Sequence, residues 1–265
     1  MSAALVRDCD EPAERSAPYL SHSRVSRYLL CPEQYRLYYL ENLRPKITAA
    51  ALVFGKVVHE ALAKFFRNQD DPGWTFRALW QEVSRIDLAY NNRESWEKLD
   101  ASGQALFGKF IHEEASRIGN IHGCEQTFEL RVTNLELPFV GVIDLLADVD
   151  EVPTVVDFKT SASAFEDHEV ILSDQLRAYQ LAEPQAEQTA YCVFVKTKEP
   201  RIEWHRSKRS GPQLTEFLAK VAYVGHEIAA ARFYKRHGKW CAWCDYLPVC
   251  TGDAAKTRET LIQIG

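Results

Sequence analysis

Two carboxylates and one amine carry the densest chemical signal in this chain. Asp144 closes the run Gly141-Val142-Ile143-Asp144, and Asp157 and Lys159 lie in Val155-Val156-Asp157-Phe158-Lys159. On a strand, side chains two positions apart share a face, so Asp157 and Lys159 point the same way. Asp157 follows Asp144 by thirteen positions, and the intervening Asp148-Val149-Asp150-Glu151-Val152-Pro153 reads as a turn between two strands. Such a hairpin gathers both carboxylates and the ammonium into one cleft. Acids held in that way need a cation, because buried unpaired charge is costly. Their hard oxygens suit Mg²⁺ or Mn²⁺. A divalent metal with a lysine beside it is an arrangement that cleaves phosphodiesters. The same spacing also fits an edge hairpin with a solvated charged face, so the choice rests on the elements around it.

Three further patterns bear on that choice. Apolar residues at 54, 57, 58, 61, 62, 65 and 66 follow helical periodicity around His59 and Glu60, and a neutral imidazole is a metal ligand. In Ser173-Asp174-Gln175-Leu176-Arg177-Ala178-Tyr179, Gln175 and Tyr179 are spaced i, i+4 on one helical face, with Ser173 as the N-cap. The cysteines are seven, at 9, 31, 124, 192, 241, 244 and 250. The last three form Cys-x2-Cys-x5-Cys with no fourth thiol near in sequence, and Cys31 is the best distant complement. Four thiolates select zinc or an iron–sulfur cluster, and spacing alone leaves both open. An odd count without a signal-peptide core argues against a disulfide framework.

In this order the four elements resemble the PD-(D/E)XK nuclease superfamily, and within it the iron–sulfur RecB-like exonucleases, AddB-type and CRISPR-associated members included. The resemblance spans about Ser21 to Cys250. It implies a restriction-endonuclease-like α/β core, with a mixed central sheet flanked by helices, a helical insertion and a C-terminal Fe–S clasp. By resemblance, Asp144 and Asp157 hold one or two Mg²⁺ or Mn²⁺ ions, and the His59 imidazole and the Phe158 carbonyl complete the shell. Lys159 orients or deprotonates the attacking water, Gln175 helps to place the nucleophile or backbone, and Tyr179 supports the same helical face or touches DNA. Glu60 and Glu129 are weaker candidates. Cys31, Cys241, Cys244 and Cys250 would hold a 4Fe–4S cluster that ties the N-terminal helix to the C-terminal segment. The implied activity is metal-dependent DNA exonuclease action at single-stranded ends, in repair or recombination. Spacer processing beside a CRISPR integrase is the alternative biology. No Gly-x-x-x-x-Gly-Lys-Ser/Thr motif occurs, so a motor would be a separate helicase partner. A non-catalytic DNA-binding scaffold derived from a nuclease is the contrasting class, and the intact motif set weighs against it.

Composition frames these expectations. With 265 residues and 46% hydrophobic content, the chain can build one large domain. It has no run of 18 apolar residues, so no membrane span is expected and a cytoplasmic location follows. Net charge is 32 − 37 = −5, so any nucleic-acid surface must be local. Arg232, Lys235, Arg236 and Lys239, beside the cysteine tail, are the expected DNA track. Residues 1–20 are expected as a disordered leader and 21–250 as the nuclease domain, with helical elaboration at 74–119 and the clasp at 240–250. Residues 251–265 form a tail. Helices are expected at 52–67, 74–90, 94–118, 173–181 and 212–234, with another from Ser21 that breaks near Pro32. Strands are expected at 125–134, 139–149, 154–160, 189–197 and 201–206.

Overall fold

The computed structural model describes residues 18–264. Its main helices are α1 (His22–Leu30), α2 (Ala50–Asn68), α3 (Pro72–Val83), α4 (Trp96–Lys109), α5 (Asp174–Ala182) and α6 (Gly211–Ala229). Strands β1 (Ile118–Leu130), β2 (Phe139–Val149), β3 (Val152–Ser161), β4 (Gln188–Val195) and β5 (Arg201–Ser207) form one sheet in that spatial order. All neighbours are antiparallel except β3 and β4, which run parallel. A parallel pair needs a crossover, and α5 lies within it. The result is the expected α/β fold with a mixed sheet.

Alternation along the strands sends side chains to opposite faces. Val156, Phe158, Cys192 and Phe194 face α2, α3 and α4, where Val57, Val58, Phe76, Trp80, Phe107 and Phe110 cover them. Phe66 stacks on Phe158 with ring centroids 5.7 Å apart. Trp80 and Trp96 each donate their indole N–H to the other's carbonyl, at 3.1 and 3.2 Å, and so lock α3 to α4. Val155, Tyr191, Val193 and Val195 face the opposite side, against Leu176 and Tyr179 of α5. A further core joins Val25 and Tyr28 of α1 to Phe217, Val221 and Val224 of α6. The aromatic rings here pack inward: Tyr28 of α1 and Tyr35 just beyond it meet edge to face at 5.8 Å.

The expected break at Pro32 is present. Cys31 is extended, at φ −161° and ψ 111°, because a following proline excludes the helical conformation. The chain then resumes as Pro32–Tyr35 and Arg36–Leu40.

Several boundaries differ from expectation. Strand β1 begins at Ile118 rather than 125: residues 118–124 carry two glycines of low helix propensity and pair with the far half of β2 through two register shifts. Helix α3 stops at Val83, and Leu88–Ala89 instead pairs with Thr48–Ala49. Helix α6 ends at Ala229, just before the left-handed Ala231, φ 53°. The chain is already packed ahead of Ser21. Tyr19 and Leu20 are buried, and Leu20 accepts from Val140 N–H at 2.8 Å while donating to Pro138 at 2.9 Å. Residues 1–17, with Cys9, lie outside the described residues. The tail folds back: Leu261–Gln263 pairs antiparallel with Leu43–Pro45. Among the described residues no helix is long and apolar enough to cross a membrane.

Candidate active site

The β2–β3 ladder runs from Val149/Val152 to Leu145/Val156 and stops there. Beyond it β2 stays with β1 while β3 stays with β4, so the two strands fork. Phe158 N–H, which the ladder no longer serves, donates to Asp144 Oδ2 at 2.8 Å. A buried N–H needs some acceptor, and here a carboxylate fills that place at the crotch of the fork.

On the α2 side, His59 Nδ1 lies 3.4 Å from Asp144 Oδ2. Glu125 of β1 sits between the pairs Cys124/Leu145 and Gln126/Ile143, opposite Asp144. Its backbone is left-handed, at φ 53°. One ligand atom from each of His59, Glu125 and Asp144 lies within 4.8 Å of the others. Close approach of α2 to β3 depends on Gly55, where a Cβ would come 3.3 Å from Thr160 Oγ1.

Electrostatics match this geometry. Burial and then the neighbouring Asp144 charge raise the Glu125 carboxyl above its usual range. Burial alone would lower the His59 imidazole, but Asp144 and Asp157 outweigh it and push it up to about 9. Without a cation the site thus draws in a proton as its positive charge. One nitrogen and several carboxylate oxygens within this spacing fit a divalent cation.

On the α5 side, Lys159 Nζ lies 2.8 Å from Asp157 Oδ2 and donates to Gln175 Oε1 at 2.8 Å. Gln175 Nε2 donates to Asp157 Oδ1 at 2.7 Å and to Tyr179 Oη at 2.8 Å. Tyr179 Oη is 2.9 Å from Asp157 Oδ1 and 2.8 Å from the Val142 carbonyl. Ser173 caps α5 by accepting from Leu176 N–H at 3.2 Å, and its hydroxyl meets that of Tyr191 at 2.5 Å. Lys159 Nζ sits 5.4 Å from the centre of the Tyr191 ring. Burial pushes the Tyr191 hydroxyl up to about 12.

The fold therefore brings His59, Asp144, Asp157, Lys159, Gln175 and Tyr179 together. Both oxygens of Asp157 are engaged by protein groups, so it stands on the lysine side of the fork. The backbone N–H of Phe158 reaches Asp144, and its side chain enters the core. The acid that sequence reasoning missed is Glu125. Glu129 pairs instead with Arg131 at 2.6 Å and lies opposite Val140. Glu60 is exposed and pairs with Lys64 at 3.4 Å.

Cys31, Cys241, Cys244 and Cys250 line one pocket of about 90 Å³. Arg236 N–H points at Cys31 Sγ at 3.5 Å, and Gln34 Nε2 at Cys244 Sγ at 3.4 Å. Burial raises the Cys250 thiol. Among the described residues these thiols form no group within the 4.8 Å spacing of the His59 set. Zinc bound at about 2.3 Å to each sulfur would need a tighter set than that. Cys192 is core, and the half-buried Cys124 thiol is raised by burial to about 11.

Three of the four cations of the expected DNA track also meet protein groups. Arg232 pairs with Glu227 at 2.6 Å, Lys235 donates to the Cys250 carbonyl at 3.0 Å, and Arg236 donates to the Leu29 carbonyl. Lys239 opens the short turn that carries Cys241. Lys235 and Arg236 thereby serve carbonyls near helix ends, Cys250 in the helix Leu247–Thr251 and Leu29 in the last turn of α1, which otherwise lack donors. The four are absent from the walls of the cleft that reaches the site. That cleft, of about 650 Å³, runs outward from Lys159 and Gln175 between α1 and the segment 165–174.

Residues 19–251 match the family profile of the PD-(D/E)XK nuclease superfamily. An exonuclease from Eubacterium rectale, so named provisionally, has a crystal structure 12% identical to this chain. It covers 80% of this chain and 79% of its own with a TM-score of 0.51, so the fold is shared. The crystal structure of SSO0001 aligns over 90% of this chain and 88% of its own, at 12% identity and a TM-score of 0.46. No curated protein matches the sequence.

Proposed function

The chain belongs to the PD-(D/E)XK nuclease superfamily, and from that premise we propose that it is a divalent-metal-dependent exonuclease acting on single-stranded DNA ends in repair or recombination. The observation that carries the reading is the fork itself. It sets an acid–imidazole group on one side and a lysine held by Asp157 and Gln175 on the other.

In this reading His59, Glu125 and Asp144 would hold the cation, and Asp157 and the Phe158 carbonyl would complete its ligand set. The bound cation supplies charge neutralisation at the phosphate and acidifies a coordinated water. Lys159 would hold the attacking water by hydrogen bonding and offset the negative charge that builds up on the phosphate during attack. Gln175 keeps the amine from collapsing into a single contact with Asp157, and Tyr179 fixes the far oxygen of that acid. Because every motif residue is in place, the non-catalytic scaffold is the weaker reading. The four thiols around one pocket favour a 4Fe–4S clasp over zinc. Such a clasp would close a loop of more than 200 residues between Cys31 and Cys241 and so add metal binding to folding stability.

The test is cleavage of end-labelled single-stranded DNA with Mg²⁺ or Mn²⁺ by wild type and Lys159→Ala, purified without oxygen. Metal-dependent laddering from one end by the wild type alone supports the proposal. Equal cleavage by both proteins, or none by either, counts against it.

A further inference from the structure

We infer that the cleft leading from Lys159 is a two-walled subsite for an unpaired nucleic-acid strand, with Phe165 and Leu172 set to meet base faces and α1 set to face the backbone. This rests on the nuclease reading of the fork, and it names residues that none of the motifs contains.

Continuity comes first: Lys159, Gln175 and Ser173 belong both to the catalytic network and to the wall of the cleft. A strand whose phosphate reaches Lys159 must extend along this space. One wall is formed by Phe165, Leu172 and Tyr191. Leu172 is 61% exposed and Leu30, on the opposing wall, is 40% exposed. Apolar groups left open beside a charged site gain free energy when an apolar surface covers them.

Phe165 is held in place rather than loose. Its N–H donates to Glu203 at 3.3 Å, and its ring packs edge to face on Tyr191 at 5.7 Å. The other wall is the polar face of α1, with His22, Ser23, Ser26 and Arg27. The Arg27 guanidinium lies 3.8 Å over the Tyr38 ring, which anchors its positive charge on that wall.

Two acids also line the cleft, and both are engaged. Glu169 accepts from Glu166 N–H at 2.8 Å, and Asp174 binds Arg177 at 3.2 Å and Lys220 at 2.9 Å. Their repulsion of a phosphate is correspondingly reduced.

The asymmetry of the walls selects the ligand. A duplex stacks its base faces inside and offers only edges and phosphates. An unpaired strand exposes π-faces, and aromatic or apolar side chains capture them without sequence preference.

Phe165→Ala and Leu172→Asp test this, each checked first for a wild-type melting temperature. One readout is fluorescence anisotropy of labelled oligothymidylate with Ca²⁺ in place of Mg²⁺, beside a blunt hairpin duplex of equal length. The other is hydrolysis of bis(p-nitrophenyl) phosphate, a diester with no neighbouring nucleotides to lay along the cleft. Loss of one stacked base predicts roughly tenfold weaker strand binding in each variant. The loss of kcat/KM on the strand should exceed that on the small diester by a similar factor, through KM. Equal losses on both substrates, unchanged strand binding, or duplex binding as tight as single-strand binding would overturn the subsite. If the wild type binds the strand through these residues but hydrolyses neither substrate, the subsite stands and the nuclease reading falls.

Discussion

Gln175→Leu is the most discriminating single change. The side chain is 3% exposed and spans two charged partners, accepting from Lys159 at 2.8 Å and donating to Asp157 at 2.7 Å. Leucine keeps the volume and removes both bonds, together with the one from Gln175 to Tyr179 Oη at 2.8 Å. Hydrogen bonds to charged groups contribute about 1.5–3 kcal/mol each. Part of that returns, because Lys159 and Asp157 still pair directly at 2.8 Å and Tyr179 still reaches Asp157. A net loss of about 2–4 kcal/mol is expected, against a total stability of roughly 5–15 kcal/mol. For a domain of this size that lowers the melting temperature by about 5–15 °C. The catalytic effect should be larger than the fold effect. With its acceptor gone, the Lys159 amine settles on Asp157, and such misplacement costs on the order of 10²-fold in kcat. The assay is strand cleavage well below the variant's melting temperature, beside a thermal melt. Gln175→Glu keeps the acceptor for Lys159 but sets a carboxylate against Asp157 Oδ1, so its activity should recover only where one of the two acids retains a proton. A Leu variant with wild-type melting and wild-type kcat would refute the network argument outright.

Other expectations follow from the same geometry. With His59 raised to about 9, cation binding must displace its proton, so Mn²⁺ affinity should climb with pH toward 9, with about one proton released in calorimetry at pH 8. The sign for folding is opposite in chelator: the raised imidazole stabilises fully below its unfolded value of about 6.5 and loses that contribution as pH rises through about 9, by at most about 3 kcal/mol, readable in melts across that window. Glu125→Gln should weaken Mn²⁺ binding at least about tenfold, whereas Glu129→Gln, whose carboxylate lies with Arg131, should change it less than about twofold. Cys250→Ala should lose both the visible absorbance of anaerobically purified protein and several degrees of melting temperature; a colourless variant as stable as the wild type would remove the cluster from the account.

What could be read beforehand was whatever a single element encodes. Strand β2 came out at 139–149 as expected, and α2 and α5 within two residues, because alternation and i, i+4 spacing are local. Asp157 and Lys159 share a face for the same reason. Glu125 was hidden because its place depends on how β1 registers on β2, and that register shifts twice between Ile118 and Gly123. A correct strand with an unknown register leaves Glu125 and Glu129 indistinguishable. The contacts of the cations at 232–239 were equally illegible, because charge counts carry no direction. Only the path of the chain around Cys31 and Cys250 shows that Lys235 and Arg236 turn toward backbone carbonyls. The cleft between α1 and Phe165 was equally out of reach, since its walls come from segments about 140 residues apart.

The hydrogen bond from Phe158 to Asp144 carries a consequence for how such a site could be lost. The acid that would grip a cation is also the wedge that keeps β2 and β3 from zipping. An apolar replacement at 144 would strand the Phe158 N–H, and the nearest remedy is one more rung of the β2–β3 ladder. That rung would seal the mouth of the fork and repay the backbone at once. Decay of the acid would then be a ratchet: the closed hairpin is satisfied, and restoring the aspartate alone would not pry it open. Descendants without chemistry should be recognisable by a longer ladder, even where the lysine and glutamine survive.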